Sequence, residues 1–179
     1  MTDLATAERI LHDTFGFEAF RPGQDEVVAA VLSGEDVLAV MPTGSGKSLC
    51  YQLPALLRDG LTVVVSPLIA LMRNQVAALR AFGVSAASLN SANDPEENRE
   101  ILDQMQRSAL QLVYIAPERL ARADTRNLLK RSGVSLLAVD EAHCISQWGH
   151  DFRPEYLALG DLQVELGGVQ TIALTATAD

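Results

Sequence analysis

The chain has 179 residues, a length typical of one domain with a single hydrophobic core. Its apolar content of 48% and mean hydropathy of +0.12 suit a packed core, yet no apolar run approaches the roughly 18 residues needed to cross a bilayer. A net charge of −9 argues against a general nucleic-acid binder, whose surface is basic overall. The N-terminus lacks a basic segment followed by an apolar one, and Cys50 and Cys144 are too far apart to indicate a zinc site or a disulfide framework. We therefore expect one cytoplasmic domain with no membrane contact.

Basic residues are concentrated in one segment, residues 119–131, which has a local charge of +4. Two interpretations are open, a solvated helix face or a local contact for an acidic partner, namely nucleic acid. The basic residues of this segment are Arg119, Arg122, Arg126, Lys130 and Arg131, with Asp124 the one acidic residue.

The hydrophobic pattern predicts helices at residues 3–15 and 22–32, followed by strands and helices in alternation. Most of the strands are apolar throughout, which predicts an α/β fold with a parallel sheet covered by helices on both faces. In such a sheet, ligands bind beyond the carboxyl ends of the strands. The predicted strands are residues 36–40, 61–66, 85–89, 110–115, 134–139 and 169–175. The predicted later helices are residues 48–58, 68–82, 94–108, 124–131 and 154–166.

A glycine-rich loop, Met-Pro-Thr-Gly-Ser-Gly-Lys-Ser at residues 41–48, lies between the first predicted strand and a helix. It fits the phosphate-binding pattern G-x-x-x-x-G-K-[ST] except that Met41 stands where the first Gly is usual. In this setting the backbone N–H groups bind phosphate, Lys47 reaches the outer phosphates and the Ser48 hydroxyl ligates Mg²⁺. The loop residues are Met41, Pro42, Thr43, Gly44, Ser45, Gly46, Lys47 and Ser48.

Asp140 and Glu141 follow a predicted strand about 90 residues after the loop, where phosphate-loop enzymes place the carboxylate that holds Mg²⁺. Glu141 is placed to orient a water for attack on the γ-phosphate. Taken alone, Asp140 and Glu141 could form a solvated turn. The catalytic interpretation is favoured because the glycine-rich loop and this acidic pair, the two halves of one site, occur in the expected order. No N-K-x-D segment occurs, which leaves a GTPase without support.

Several blocks together resemble the first of the two RecA-like lobes of the RecQ family of superfamily 2 DNA helicases. Residues 15–24 resemble its adenine-recognition motif, residues 41–48 its Walker A motif, and residues 66–72 its motif Ia. Residues 140–143, Asp-Glu-Ala-His, resemble the DEAH box, and residues 175–177 resemble motif III. Residues 145–156 resemble an aromatic-rich loop that distinguishes this family from other DEAH-type ATPases.

The resemblance implies a role for each matched residue. Phe17 and Arg21 would sandwich adenine while Gln24 bonds its edge, and His143 would link the ATP site to motif III. The motif III residues are Thr175, Ala176 and Thr177. The residues that would sense single-stranded DNA and report to the nucleotide site are Trp148, His150, Phe152 and Arg153.

The resemblance also implies what the chain works with and what it lacks. We expect residues 1–179 to form one N-terminal RecA-like domain of a 3′-to-5′ DNA helicase of repair and recombination, with ATP and Mg²⁺ as cofactors. Its partners would be single-stranded and partly duplex DNA and a second RecA-like lobe, absent here, that supplies an arginine finger. The chain alone would bind ATP without efficient hydrolysis. The alternative is a non-catalytic module that binds nucleotide or a partner. A third interpretation, a small kinase, has little support because the sequence shows no acceptor site or lid.

Overall fold

A computed structural model describes residues 3–42, 46–142 and 159–176. Within these ranges the chain forms one six-stranded sheet in the order β1-β6-β5-β2-β4-β3, and every pairing is parallel. The predicted parallel α/β sheet is thereby confirmed. The strands are β1 (Val37–Met41), β2 (Leu61–Val65), β3 (Ala86–Leu89), β4 (Leu112–Ile115), β5 (Val134–Val139) and β6 (Thr171–Ala176).

Helices cover both faces of the sheet and bury two apolar cores. The first four helices pack on one face and the last four on the other. Connections that move toward β3 run over the first face, and those that move toward β1 run over the second, as right-handed crossovers require. The helices are α1 (Leu4–Asp13), α2 (Gln24–Leu32), α3 (Leu49–Leu56), α4 (Ile69–Ala81), α5 (Pro95–Gln106), α6 (Pro117–Leu120), α7 (Ala123–Arg131) and α8 (Leu159–Glu165). No helix in the described ranges is both long and apolar enough to span a bilayer.

Helix α2 begins later than the sequence predicts. Gly23 occupies the N-cap position with φ of 88°, and the Gln24 N–H donates to the carbonyl of Arg21 at 3.0 Å. This turn places Pro22 before the helix rather than in its first turn. The delayed start matters because it turns the side chain of Gln24 toward the phosphate loop.

Three further helix predictions need correction or restriction. Helix α1 ends at Asp13 rather than at residue 15, because the chain turns there and the Phe17 N–H bonds back to the Leu11 carbonyl. The predicted helix at residues 94–108 has Asp94 as its N-cap, but the Asp94 side chain makes no capping hydrogen bond. The short helix α6 was not predicted, since four residues are too few to show a hydrophobic period. The start of the predicted helix 154–166 lies outside the described residues.

Strand β1 lies at an edge of the described sheet and pairs with β6 alone among the described strands. Its side chains alternate, with Ala39 and Met41 buried while Leu38 is 70% and Val40 56% exposed. The strand predicted at residues 36–40 is present, but it is buried on one face only. Its burial depends on its place in the strand order, which an apolar run does not reveal.

Arg58 follows α3 and lies at the amino ends of the strands, where it contacts several elements. Its guanidinium donates to the carbonyls of Ser135 at 3.1 Å and Val31 at 3.0 Å, and to the side chain of Gln170. Burial lowers the pKa of Arg58. One side chain thus holds the end of α2 against the starts of β5 and β6.

Candidate nucleotide-binding site

The phosphate loop leaves the sheet at the carboxyl end of β1. The side chain of Met41 is buried and its Sδ accepts from the Cys50 thiol of α3 at 3.9 Å. The residue that replaces the usual first Gly therefore packs into the core, and only its backbone can face a ligand. Thr43, Gly44 and Ser45 lie outside the described residues, whereas Gly46 leads directly into the turn that begins α3.

Lys47 joins the loop to the end of β5. Its ammonium donates to Glu141 Oε1 at 3.2 Å and lies 3.5 Å from Asp140 Oδ1. The side chains of Lys47, Asp140 and Glu141 are 20%, 3% and 18% exposed. Two segments 94 positions apart thus meet at the carboxyl edge of the sheet, as the order of the motifs predicts.

Asp140 is the most enclosed member of this group. Burial raises the pKa of its carboxyl, and the nearby Lys47 opposes that rise. Asp140 Oδ1 also accepts the backbone N–H of Glu141 at 2.9 Å. Glu141 has φ of 57°, in the left-handed region that a residue with a side chain rarely adopts. Such strain is typical of functional sites, where the surrounding structure fixes an unfavourable backbone conformation.

The Ser48 hydroxyl and the Asp140 carboxylate offer oxygen atoms that suit Mg²⁺. Mg²⁺ takes hard oxygen ligands, and it is usually held by one or two carboxylates together with substrate phosphates and water. The described residues contain no group of three or more His, Cys, Asp or Glu side chains that could hold a metal by themselves. A hydroxyl and a buried carboxylate fit a metal that arrives with the triphosphate.

Beside the loop lies a cavity of about 180 Å³. It contains the three residues predicted to hold adenine, and Phe17 is 46% exposed, so its ring is accessible to a ligand. Sequence reasoning did not assign Gln52 to this site, although an amide in an otherwise apolar helix was a signal. The lining residues are Phe15, Phe17, Ala19, Arg21, Gln24, Gly46, Ser48, Leu49 and Gln52.

Gln24 connects this cavity to the phosphate loop. Its side chain is almost fully buried, with Oε1 accepting from the Arg21 N–H at 2.8 Å and Nε2 donating to the Gly46 carbonyl at 2.9 Å. Gly46 has φ of +75°, and a Cβ there would lie 2.6 Å from Gln24 Nε2. The positive φ favours glycine at this position, and any side chain there would also displace the Gln24 amide. That Gln24 also bonds the edge of adenine stays a prediction.

The predicted DNA-sensing residues and the remainder of the DEAH box lie outside the described residues. These are His143, Trp148, His150, Phe152 and Arg153, and Thr177 of motif III also lies outside. Thr175 and Ala176 lie at the end of β6, in register with Val40 and Met41 of β1. Motif III therefore begins directly beside the strand that leads into the phosphate loop.

The basic segment 119–131 comprises the end of α6, the turn after it and α7. Arg122 pairs with Asp124 at 2.9 Å, and Arg126 and Lys130 lie 3.6 Å and 3.9 Å from Glu165 of α8. Pairs this exposed contribute little to stability, but they reduce the local charge. This arrangement favours the solvated helix face over a contact for an acidic partner.

Residues 21–179 match the family model of the DEAD/DEAH box helicases. The chain is 50% identical over 174 residues to the ATP-dependent DNA helicase RecQ of Haemophilus influenzae, which covers 97% of this chain and 28% of that protein. It is 48% identical to RecQ of Bacillus subtilis over 98% of this chain and 30% of that protein, so it spans less than a third of either relative. The structure of Mycobacterium smegmatis helicase Lhr bound to ssDNA and AMP-PNP shares the fold, with a TM-score of 0.76 and 24% identity over 99% of this chain and 26% of that one. Because the matched region includes both the phosphate loop and the strand that ends at Asp140, the resemblance to RecQ helicases is confirmed and the chain belongs to the DEAD/DEAH box helicase family.

Proposed function

We propose that this chain is the ATP-binding and DNA-sensing lobe of an ATP-dependent DNA helicase. The observation that carries the proposal is the contact of Lys47 with Asp140 and Glu141, next to a cavity that already includes Gly46 and Ser48. The RecQ relatives bear the name ATP-dependent DNA helicase. The 3′-to-5′ polarity, the cytoplasmic location and a role in DNA repair and recombination rest on the resemblance to that family.

ATP binding would use the two halves of the site together. The adenine ring enters the cavity, where the face of Phe17 and the guanidinium plane of Arg21 can stack on it. The triphosphate lies along the loop, whose N–H groups and following helix favour an anion. Lys47 then exchanges its carboxylate partners for the outer phosphate oxygens, which carry more negative charge.

Hydrolysis would depend on the two carboxylates that Lys47 releases. Ser48 and Asp140 would hold Mg²⁺, which neutralises charge on the phosphates during transfer. Glu141 orients the attacking water and accepts its proton. The left-handed backbone conformation of Glu141 fixes its carboxylate close to Asp140 and Lys47.

The full reaction requires a partner lobe. In related ATPases an arginine finger from outside the phosphate loop accelerates transfer by roughly 10³–10⁵-fold. The resemblance assigns DNA contact to Trp148, Phe152 and Arg153, and aromatic and Arg side chains can together bind single strands without sequence preference. Residues 1–179 by themselves would therefore bind Mg–ATP weakly, hydrolyse it negligibly and leave duplex DNA intact.

ATPase measurements on the full-length protein with and without single-stranded DNA test the proposal. We expect DNA-stimulated turnover that Glu141→Gln reduces by at least about 10²-fold while nucleotide still binds. Glu8→Gln, which neutralises an exposed carboxylate on α1, serves as the matched control and should leave turnover unchanged. Nucleotide binding by the wild-type protein without any turnover would instead establish the non-catalytic module.

Base selectivity tests the cavity separately. Gln24→Ala should weaken ATP binding more than GTP binding, because the amide is the one buried polar side chain among the predicted adenine contacts. Competition of ATP and GTP against a fluorescent nucleotide measures both affinities. Equal weakening of the two would show that Gln24 acts only through its bond to the Gly46 carbonyl.

A further inference from the structure

A buried polar cluster lies where α3, α4 and β4 meet. It consists of Tyr51 and Gln52 from α3, Gln75 from α4 and Tyr114 from β4. Gln75 Oε1 accepts from the hydroxyls of Tyr114 at 2.7 Å and Tyr51 at 2.9 Å. Gln52 Nε2 donates to the Tyr114 hydroxyl at 2.9 Å and to Gln75 Oε1 at 3.0 Å, and the two hydroxyls are 3.0 Å apart. Both tyrosines are fully buried.

These contacts outnumber the protons available to them. Gln52 contributes two amide protons and each tyrosine one, whereas five close contacts join the four side chains. Burial raises the pKa of Tyr51 well above its ordinary value and that of Tyr114 to about 12, so both hydroxyls keep their protons at neutral pH. The cluster therefore has alternative hydrogen-bond patterns, which differ in whether each tyrosine hydroxyl donates to Gln75 Oε1 or to the other hydroxyl.

The cluster joins the nucleotide cavity to elements that end at the same edge of the sheet. Gln52 lines the cavity, and its helix follows directly after Lys47 and Ser48. Helix α4, which carries Gln75, begins just after Ser66 at the end of β2. Apolar side chains would fill this space at a lower desolvation cost, so packing alone does not account for four polar groups here.

We propose that Gln52, Tyr51, Tyr114 and Gln75 form a positioning network that couples occupation of the nucleotide cavity to the placement of α4. A nucleotide that contacts the Gln52 amide changes which protons reach Gln75 Oε1, the one atom of α4 on which Gln52 and both tyrosines converge. The proposal rests on the proposed function, because its readout is the coupling between ATP and DNA. By linkage, the factor by which DNA changes the affinity for ATP equals the factor by which ATP changes the affinity for DNA.

Tyr114→Phe and Gln75→Leu are the informative substitutions, since Gln52 lines the cavity itself. In the full-length protein, affinity for a fluorescent non-hydrolysable ATP analogue is measured with and without saturating single-stranded DNA. We expect DNA to tighten the analogue by about 5-fold or more in the wild type. Each variant should bring this ratio below about 2-fold while binding the analogue alone within about 3-fold of wild type, because coupling carried by the network is lost when either partner is removed.

Ser132→Ala is the matched control, because it removes a buried hydroxyl that donates to the Leu128 carbonyl at the end of α7. It should lower stability to a similar extent, because it also removes one buried hydrogen bond, and leave the ratio unchanged. The double variant Tyr114→Phe/Gln75→Leu should lose no more coupling than either single variant. Variants that keep the wild-type ratio would overturn the network alone, whereas a wild-type protein without DNA-stimulated turnover would overturn the proposed function.

Discussion

Replacing Gly46 by Ala tests how the phosphate loop and Gln24 depend on each other. The new methyl group would stand 2.6 Å from Gln24 Nε2, well inside van der Waals contact, and the backbone would have to keep φ of +75°. Either the loop changes conformation or Gln24 gives up its bond to the Gly46 carbonyl. Both responses disturb the residues that lead into Lys47.

The expected cost has two parts. A residue with a side chain in the left-handed region costs about 1–2 kcal/mol. Loss of the Gln24 hydrogen bond adds about 0.5–1.5 kcal/mol. Together these amount to about 1.5–3.5 kcal/mol, or roughly a 10- to 300-fold change in an equilibrium constant. The cost appears in the free energy of unfolding if the loop keeps its conformation, and in nucleotide affinity if the loop relaxes.

Urea denaturation and titration with a fluorescent ATP analogue measure the two contributions. Gly83→Ala is the matched control, because Gly83 also has a positive φ, of +84°, but a Cβ there meets nothing within 4 Å. It should lose only the backbone part, about 1–2 kcal/mol, and bind nucleotide normally. Combining Gly46→Ala with Gln24→Ala removes the clash. Gln24→Ala should therefore cost less in the Gly46→Ala protein than in the wild type.

A combined change below about 0.5 kcal/mol for Gly46→Ala would refute this reasoning, since it is less than the backbone term alone. Strict additivity of Gly46→Ala and Gln24→Ala would show that the two residues do not interact.

Three further predictions concern separate parts of the chain. Lys47→Ala should abolish ATP turnover in the full-length protein without loss of helical circular dichroism, because in the proposed site Lys47 would supply charge to the phosphates and it does not pack in the core. Turnover by a folded variant would exclude the assignment. Ser108→Gly should raise the free energy of unfolding by about 0.5 kcal/mol, because Ser108 follows α5 with φ of 57° and glycine relieves that strain at some cost in chain entropy; a less stable variant in urea would contradict this. Arg58→Met should lower the free energy of unfolding by about 2–3 kcal/mol, because it leaves the Ser135 carbonyl without its charged donor; a loss under about 0.5 kcal/mol would show that desolvation cancels the bonds.

The meeting of Lys47 with Asp140 could be predicted from the sequence because it depends on the order of the motifs. Lys47 and Asp140 each follow a predicted strand, and parallel strands end at one edge, so their meeting required no knowledge of strand order. The same holds for the parallel sheet itself, which follows from strands and helices in alternation.

Other features depend on contacts that no local pattern contains. The bond from Gln24 to Gly46 joins residues 22 positions apart through a turn that Gly23 sets, and a proline beside it suggested an earlier helix start. The place of Gln52 in the cavity depends on how α3 packs against α2. Likewise, exposure of Leu38 follows from the edge position of β1, which an apolar run cannot reveal.

The pairing of β1 with β6 bears on how the protein matures during synthesis. The Thr171 N–H donates to Asp36 across 135 positions of the chain. At a synthesis rate of about 5–20 residues per second, β6 follows β1 from the ribosome by about 7–27 s. During that interval β1, which leads into the phosphate loop, lacks β6, its partner among the described strands. The apolar residues of β1 are then exposed to chaperones or to mispairing with other strands. ATP thus finds a complete loop only on a finished sheet, so nucleotide can stabilise the folded domain but cannot guide its early steps.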